Sequence, residues 1–246
     1  MFRMQMPRLH ELRDLISDPN SLDAYFQNFE KNVQGSPRHV KKIYLSWENE
    51  LNGLDGNAWE LLKSEASSYL IRKDRSGRGW QQLFDILNQA RAYNYLKAIG
   101  CSDVRFIPRS DTRTPDLEGI LESVRTLCEV KTINISEEEA RARREFTVRT
   151  IVTRLDGGFF RKLKSDLLQA MDQLRAYDTT NEARYFAYVN LCFDDFLGEF
   201  KREYFRQIDQ YLSDNPIPGI AIVFHNDRMP FHEELAIANA TVVNAG

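Results

Sequence analysis

The stretch of sequence that decides the fold is TPDLEGILESVRTLCEVKTI, residues 114–133. In residues 114–121 and again in residues 127–133, polar and apolar side chains alternate with the two-residue period that is typical of β-strands. Residues 122–125 separate the two runs. Because neighbouring strands joined by a short connection usually pair with each other, the stretch predicts a β-hairpin.

The second strand of this hairpin carries two charged side chains. Glu129 and Lys131 are two residues apart, so strand alternation points them to the same face. The alternate residues Cys128, Val130 and Thr132 face the other side of the strand, where we expect a layer of helices. In the first strand Asp116 follows Pro115, and hairpin pairing can bring it beside Glu129. The sequence therefore predicts two carboxylates and an ammonium group close together.

This combination of side chains favours a metal site. Converging carboxylates repel each other, and a divalent cation relieves the repulsion. Asp116 and Glu129 offer oxygen ligands, which suit Mg²⁺ or Mn²⁺. The ammonium group of Lys131 is placed to position a water and to stabilise charge on a phosphorus-centred transition state. Glu118 projects to the same side, either as a further ligand or as a solvated strand residue. The alternative for Glu129 and Lys131 is an exposed ion pair of little energetic weight.

The elements around the hairpin indicate an α/β layer. A helical pattern begins at Trp80 and runs to Gly100, which is suited to end a helix, and a short strand follows at residues 104–107. After the hairpin, apolar residues from Phe160 to 174 recur at helical spacing. Residues 185–193 and 220–224 are short apolar runs that predict buried strands, with a helix over residues 196–212 between them. This order predicts a central sheet covered by helices.

Residues 1–75 have helical and irregular character. Breaks rich in Pro, Gly, Asn and Ser interrupt them near residues 18–21, 35–37 and 53–56. Ser21 is placed to cap a helix that carries Leu22 and Phe29. The polar, glycine-containing residues 73–79 are the best candidate junction. The sequence thus predicts an N-terminal helical extension over residues 1–75 and a second domain over residues 76–246.

Bulk composition narrows the function classes. The chain has 246 residues and a net charge of -3, so a nucleic-acid partner would have to meet a local basic surface. The basic residues Arg161, Lys162 and Lys164 are candidates to contact phosphates, the alternative being a solvated helix. No apolar run approaches the roughly 20 residues of a membrane span. The three cysteines are widely spaced, which favours a reducing, cytoplasmic setting.

The hairpin resembles the signature of a known enzyme family. Pro115-Asp116, with Glu129-Val130-Lys131 beginning thirteen positions after Asp116, is similar to the motif of the PD-(D/E)XK nuclease superfamily. The resemblance implies a restriction-endonuclease-like fold, a central mixed sheet flanked by helices. It also implies that Asp116, Glu129 and the carbonyl of Val130 bind Mg²⁺ or Mn²⁺, and that Lys131 belongs to the water-activating machinery.

Two further positions extend the resemblance or depart from it. Gln173 and Tyr177 look like the QxxxY element that RecB-type members place near the site, where it contacts nucleic acid or braces the lysine. Many members also carry a Glu on the first helix, facing the metal. By register from Gly100 that place falls near Asn88 or Gln89, both uncharged: Gln89 is the candidate for a neutral substitute, and Asp85, one turn earlier, is the alternative.

The expected function is therefore a Mg²⁺-dependent nuclease that hydrolyses phosphodiester bonds, with DNA as the favoured polymer by family analogy. Two other hypotheses remain open. One is a nucleic-acid-binding module that kept this fold and lost turnover, as the uncharged Gln89 suggests. The other is a protein-interaction domain in which the hairpin motif is a coincidence. Many members of the superfamily act as homodimers, so a second copy of the chain is a further partner that the resemblance allows.

Overall fold

The computed structural model describes residues 6–19, 21–34, 38–71, 80–109, 113–134, 154–192 and 201–226. Within these ranges the protein is of the α/β class, with seven helices and a mixed five-stranded sheet in the order β1-β2-β3-β4-β5. None of the described helices combines the length and the apolar character that a membrane crossing requires. The chain divides into two compact units, Met1–Phe106 and Ile107–Gly246.

The first unit is mainly helical. Its elements are α1 (Pro7–Asp14), α2 (Phe29–Gln34), α3 (Arg38–Asn52), α4 (Gly56–Ser67), α5 (Gln81–Ala98) and β1 (Ser102–Phe106). The start of α1 is capped from a distance, because the N–H groups of Arg8 and Leu9 donate to the carboxylate of the buried Glu48 at 3.1 and 2.9 Å. Gly100, with φ of 93°, adopts the left-handed conformation that terminates α5, as the sequence indicates.

Helix α5 packs within this first unit. It contacts α3 and α4. The ring of Trp47 on α3 is stacked with that of Phe84 at 6.1 Å, and the guanidinium of Arg91 lies 4.0 Å from its centre. The boundary between the two units consequently falls after Phe106, beyond the junction expected at residues 73–79. The whole of that expected junction lies outside the described residues.

The helix expected to begin at Ser21 does not form as expected. Residues 21–28 are a series of turns, except for Ala24, which forms an isolated antiparallel bridge with Ile71. Tyr25 donates its N–H to the carbonyl of Leu70 at 2.9 Å. These contacts take up backbone groups that a helix would use, so helix α2 begins only at Phe29.

The second unit contains most of the sheet. Its elements are β2 (Leu117–Leu121), β3 (Val124–Asn134), α6 (Gly157–Tyr177), β4 (Arg184–Cys192), α7 (Lys201–Asp214) and β5 (Ala221–Asn226). Strands β2 and β3 pair antiparallel, and β3, β4 and β5 run parallel. The order of helices and strands expected from the sequence is confirmed where residues are described. Residues 135–153 and 193–200, including the first part of the expected second helix of this unit, lie outside them.

The hairpin turn fixes the register of β2 and β3. Only Glu122 and Ser123 lie between the strands, with φ values of 51° and 67°. Two consecutive left-handed residues form the type of turn whose twist matches a two-residue hairpin. Leu117 is then opposite Cys128, and both side chains are buried. The residues just before β2 are thereby aligned with the second half of β3.

Helix α6 covers one face of β3 and β4. The Asp156 carboxylate caps it by accepting the N–H of Phe159 at 2.6 Å. The buried contacts of α6 with the strands involve Leu163, Leu167 and Ala170 on the helix and Ile133, Ala187, Val189 and Leu191 on the strands. The N-terminal half of α6 thus lies toward the carboxyl ends of the parallel strands. This is the end at which ligands bind in many α/β proteins.

Candidate active site

Asp116 lies one residue beyond the last pair of the β2–β3 ladder. Its carbonyl accepts the N–H of Ile107 at 3.0 Å, and its Oδ2 accepts the N–H of Val130 at 2.8 Å. The preceding Pro115 has no N–H to donate, which suits a position where regular pairing stops. By continuation of the register, Asp116 is opposite Glu129. The structure therefore brings the two carboxyl groups to the same face of the sheet.

Glu129 is buried, with 4% of its surface exposed, and each of its oxygens accepts a hydrogen bond. Oε1 accepts from Lys131 Nζ at 2.9 Å, and Oε2 accepts from Gln173 Nε2 at 2.8 Å. Gln173 Nε2 also donates to the carbonyl of Thr114 at 2.6 Å. Gln173 thus connects β3 to the segment that carries Asp116.

A helix lies on the face of the sheet that carries these residues. Gln173 belongs to α6 and contacts Glu129, and Leu174 packs against Leu127. Glu129 and Lys131 therefore face α6, a contact that the sequence did not predict, and the helix layer expected on the Cys128 side stays a prediction. Alternation defines which residues share a face, but either face of a strand in an α/β sheet can be covered by a helix.

The two carboxyl groups influence each other's ionisation. Burial and the neighbouring Glu129 carboxylate raise the pKa of Asp116 well above its usual value, although the Val130 N–H, Lys131 and Arg109 act in the opposite direction. Burial also raises the pKa of Glu129, against the effect of Lys131 and of a hydrogen bond with Asp116. The pair consequently holds a proton more tightly than exposed carboxyl groups do.

The oxygen atoms around Asp116 and Glu129 suit a small divalent cation that prefers oxygen ligands. Asp116 and Glu129 supply two carboxylates, and the carbonyl of Val130 points to the same edge of β3 as its N–H, which Asp116 binds. Among the residues that the structure describes, no group of three or more His, Cys, Asp or Glu side chains is arranged to hold a metal. A cation here would therefore have two carboxylate ligands, a backbone carbonyl and water.

Tyr177, at the end of α6, and Glu118, on β2, both lie beside Arg125 of β3. The guanidinium of Arg125 lies 5.3 Å from the centre of the Tyr177 ring and pairs with Glu118 at 2.9 Å. Glu118 thus has the ion-pair environment of a half-buried strand residue. Of the QxxxY-like pair, Gln173 contacts Glu129, and Tyr177 contacts Arg125 near the hairpin turn.

Gln89 and Asp85, the candidates for the first-helix position, belong to α5 in the first compact unit. Gln89 is buried, as is its neighbour Asn88, whose Oδ1 accepts from Arg91 at 3.0 Å. The part of Gln89 in the site stays a prediction.

The basic residues of α6 lie near its first turns and are exposed. Lys162 pairs with Asp166 at 2.8 Å, and Lys164 Nζ is 3.4 Å from Asn215 Oδ1. Arg161 precedes Gln173 by twelve residues, about 18 Å along a helix. These cations therefore do not contact the carboxylate pair, and their suggested role is contact with more distant phosphates. Four further arginines precede α6 in the sequence, at positions 141, 143, 144 and 149, and they lie outside the described residues.

Sequence reasoning missed two contributors to the site. The carbonyl of Thr114 holds Gln173, and the positive charge of Arg109 acts on Asp116. The position of Arg109 directly after Pro108, at the end of the first strand of the α/β layer, was the available signal for it. A backbone carbonyl leaves no such signal in a sequence.

Comparison of the chain with protein-family models, with characterised proteins and with solved structures gave no significant match. The function is accordingly inferred from the residues of this chain and their geometry.

Proposed function

We propose that this protein is a Mg²⁺- or Mn²⁺-dependent nuclease with a restriction-endonuclease-like fold of the PD-(D/E)XK type. The observation that supports the proposal is the partly buried carboxylate pair of Asp116 and Glu129, with Lys131 Nζ 2.9 Å from Glu129. The substrate would be a phosphodiester in a nucleic acid, and the motif favours DNA.

The energetics of the pair favour a functional reason for it. Two carboxyl groups whose pKa values are raised by burial destabilise the folded protein at neutral pH, because the folded state resists their ionisation. Groups with such perturbed pKa values occur most often where chemistry or binding requires them. A structural ion pair of Glu129 and Lys131 alone would not need Asp116 beside it.

The chain's own residues have distinct parts in the proposed reaction. Asp116, Glu129 and the Val130 carbonyl would hold the cation, which when bound neutralises charge on phosphate oxygens and lowers the pKa of water. Lys131 would donate to the oxygen that gains negative charge as the phosphodiester bond breaks. Gln173 would keep Glu129 and the Asp116 segment in fixed positions.

A cleavage assay tests this proposal. Purified protein is incubated with supercoiled plasmid and with single-stranded DNA in the presence of Mg²⁺, Mn²⁺ or EDTA, beside Glu129→Ala prepared in the same way. We expect cleavage by the wild type with either metal, and none with EDTA or with the variant. Equal cleavage by wild type and variant would assign the activity to a contaminant and remove the enzyme hypothesis.

A second candidate function is a nucleic-acid-binding module without turnover. It is favoured by the number of acidic ligands, since only Asp116 and Glu129 converge within the described part of the chain. Retardation of labelled DNA without any cleavage, in the same metal conditions, would support this function and exclude the nuclease.

Gln173 provides a more detailed prediction for the nuclease. Its amide donates to both Glu129 and the Thr114 carbonyl, so Gln173→Ala frees both groups. Loss of a group that orients a metal ligand typically costs about 10- to 100-fold in metal affinity or activity. We expect the Mg²⁺ concentration for half-maximal cleavage to rise by roughly that factor.

The matched control for this prediction is Gln169→Ala, one turn earlier on α6, whose side chain is exposed. It removes the same side chain from the same helix without touching the carboxylate pair. If the two variants have the same Mg²⁺ dependence, Gln173 does not position the site.

A further inference from the structure

The segment after β1 lies beside the residue that precedes β2. Ile107 donates its backbone N–H to the carbonyl of Asp116 at 3.0 Å. The side chain of Ile107 packs with Leu127 and Leu174. Leu127 is on the same face of β3 as Glu129, and Leu174 is on α6, so Ile107 faces the α6 side of the sheet.

Arg109 lies two residues beyond Ile107 in this segment. Pro108 favours an extended conformation for Ile107, and residues two apart in an extended segment project to the same side. Arg109 is exposed. Its positive charge acts together with that of Lys131 to lower the pKa of Asp116, against the stronger effect of burial. Backbone geometry and electrostatics therefore agree that Arg109 flanks the Asp116 side of the pair.

The two cations near the carboxylates have different environments. Lys131 contacts Glu129 at 2.9 Å, and only 17% of its side-chain surface is exposed. Arg109 is on the segment that follows β1, and its side chain is exposed to solvent. A guanidinium offers parallel N–H donors that match two phosphate oxygens, and such charge-assisted bonds are strong and directional. Arg109 thus has both the position and the donors for an anion that arrives from solvent.

We propose that Arg109 binds a backbone phosphate of the substrate next to the phosphodiester that Asp116 and Glu129 would present for cleavage. The inference rests on the proposed function and narrows it, because a neighbouring phosphate exists only in a polynucleotide. The substrate is then a nucleic-acid strand, held on the Asp116 side of the site by Arg109 and positioned for reaction on the other side by Lys131.

The test measures binding without turnover. Lys131→Ala serves as the parent, and its affinity for a short fluorescein-labelled DNA duplex is measured by anisotropy in Ca²⁺ at several salt concentrations. Adding Arg109→Ala should weaken binding about tenfold. It should also reduce the slope of log affinity against log salt by about 0.9, the value for one phosphate contact on a duplex. Arg109→Lys should retain the slope.

Arg184→Ala in the same parent is the matched control. Arg184 is also a partly exposed arginine of the second unit, but it pairs with Glu122 at 2.8 Å near the hairpin turn, at the amino end of β4. Arg184→Ala removes the same charge as Arg109→Ala, but at the hairpin turn and not beside the carboxylate pair. Its salt slope should therefore equal that of the parent. Thermal unfolding of each variant shows whether the protein is folded.

Three outcomes are distinguishable. A loss of affinity and slope in Arg109→Ala alone supports the inference. Equal behaviour of Arg109→Ala and Arg184→Ala, with DNA bound by the parent, overturns the role of Arg109 and leaves the nuclease proposal intact. A folded parent that binds no DNA overturns both.

Discussion

Replacing Lys131 with alanine is expected to lower the rate of DNA cleavage by about 10²- to 10³-fold, with a much smaller change in substrate affinity. Lys131 Nζ lies beside Glu129 on the face that carries Asp116. Its charge therefore acts where negative charge develops in the transition state, and it contributes less to binding of the intact substrate. The measurement is kcat and KM on a defined oligonucleotide with saturating Mg²⁺.

Two controls make this result interpretable. Lys42→Ala removes an exposed lysine from α3 and should cleave like the wild type. Loss of Lys131 also leaves the buried Glu129 without its ion-pair partner, so rates are compared below the unfolding temperatures of all three proteins. A folded Lys131→Ala protein with wild-type kcat would rule out the assigned role.

Asp116→Asn is expected to have opposite effects on activity and on stability. Asparagine can still accept the Val130 N–H through its side-chain oxygen, but it removes one of the two carboxylates. Cleavage should fall by about 10²-fold or more, because a cation contributes several kcal/mol to such reactions and loses a charged ligand here. Stability without metal at neutral pH should rise, by roughly 2–4 °C in unfolding temperature.

The pH dependence identifies the cause of that stabilisation. Folding raises the pKa of Asp116 above its ordinary value of 3.8, so the folded state binds the proton more tightly than the unfolded state. The metal-free wild type should therefore lose stability as pH rises from about 4 through the raised pKa. Asp116→Asn should lose less over this range and should equal the wild type at lower pH. If the stability of the two proteins varied with pH in the same way across that range, the raised pKa of Asp116 would be contradicted.

Glu118→Gln is the matched control for this variant. Glu118 is two residues from Asp116 on the same side of the hairpin, and its partner is Arg125. The Arg125 side chain is 45% exposed, and an ion pair that is open to solvent on one side contributes little to stability. Its pH profile and its cleavage rate should therefore follow those of the wild type.

The hairpin and its charged residues were predictable because strand alternation depends only on local sequence. The two-residue alternation of a strand predicts that Glu129 and Lys131 share a face. Pairing within the hairpin predicts that Asp116 lies beside them. The turn itself was assigned too long, at residues 122–125 instead of Glu122 and Ser123. Both residues have positive φ, yet neither is the Asn or Gly that usually indicates such a turn.

Long-range partners were not predictable in the same way. Gln173 is separated by 44 residues from Glu129 and by 59 from Thr114, so no local pattern specifies these contacts, and only the resemblance to the QxxxY element suggested that Gln173 lies near the site. The amphipathic pattern of α5 likewise predicts a helix without indicating that α3 and α4 are its partners. The bridge of Ala24 with Ile71 replaced the expected helix at Ser21 for the same reason. Tertiary contacts decide these features, and local propensity does not.

Titration of the protein with Mn²⁺ or Mg²⁺ in a calorimeter addresses the carboxylate pair itself. If Asp116 and Glu129 together bind one cation, the wild type should bind it and release protons, because the raised pKa values keep a proton on the pair until the metal arrives. The measured heat should then vary with the ionisation enthalpy of the buffer. Asp116→Asn should lose this binding, and Glu118→Gln should keep it. Absence of binding in the wild type, or equal binding by Asp116→Asn, would contradict a metal site at this pair.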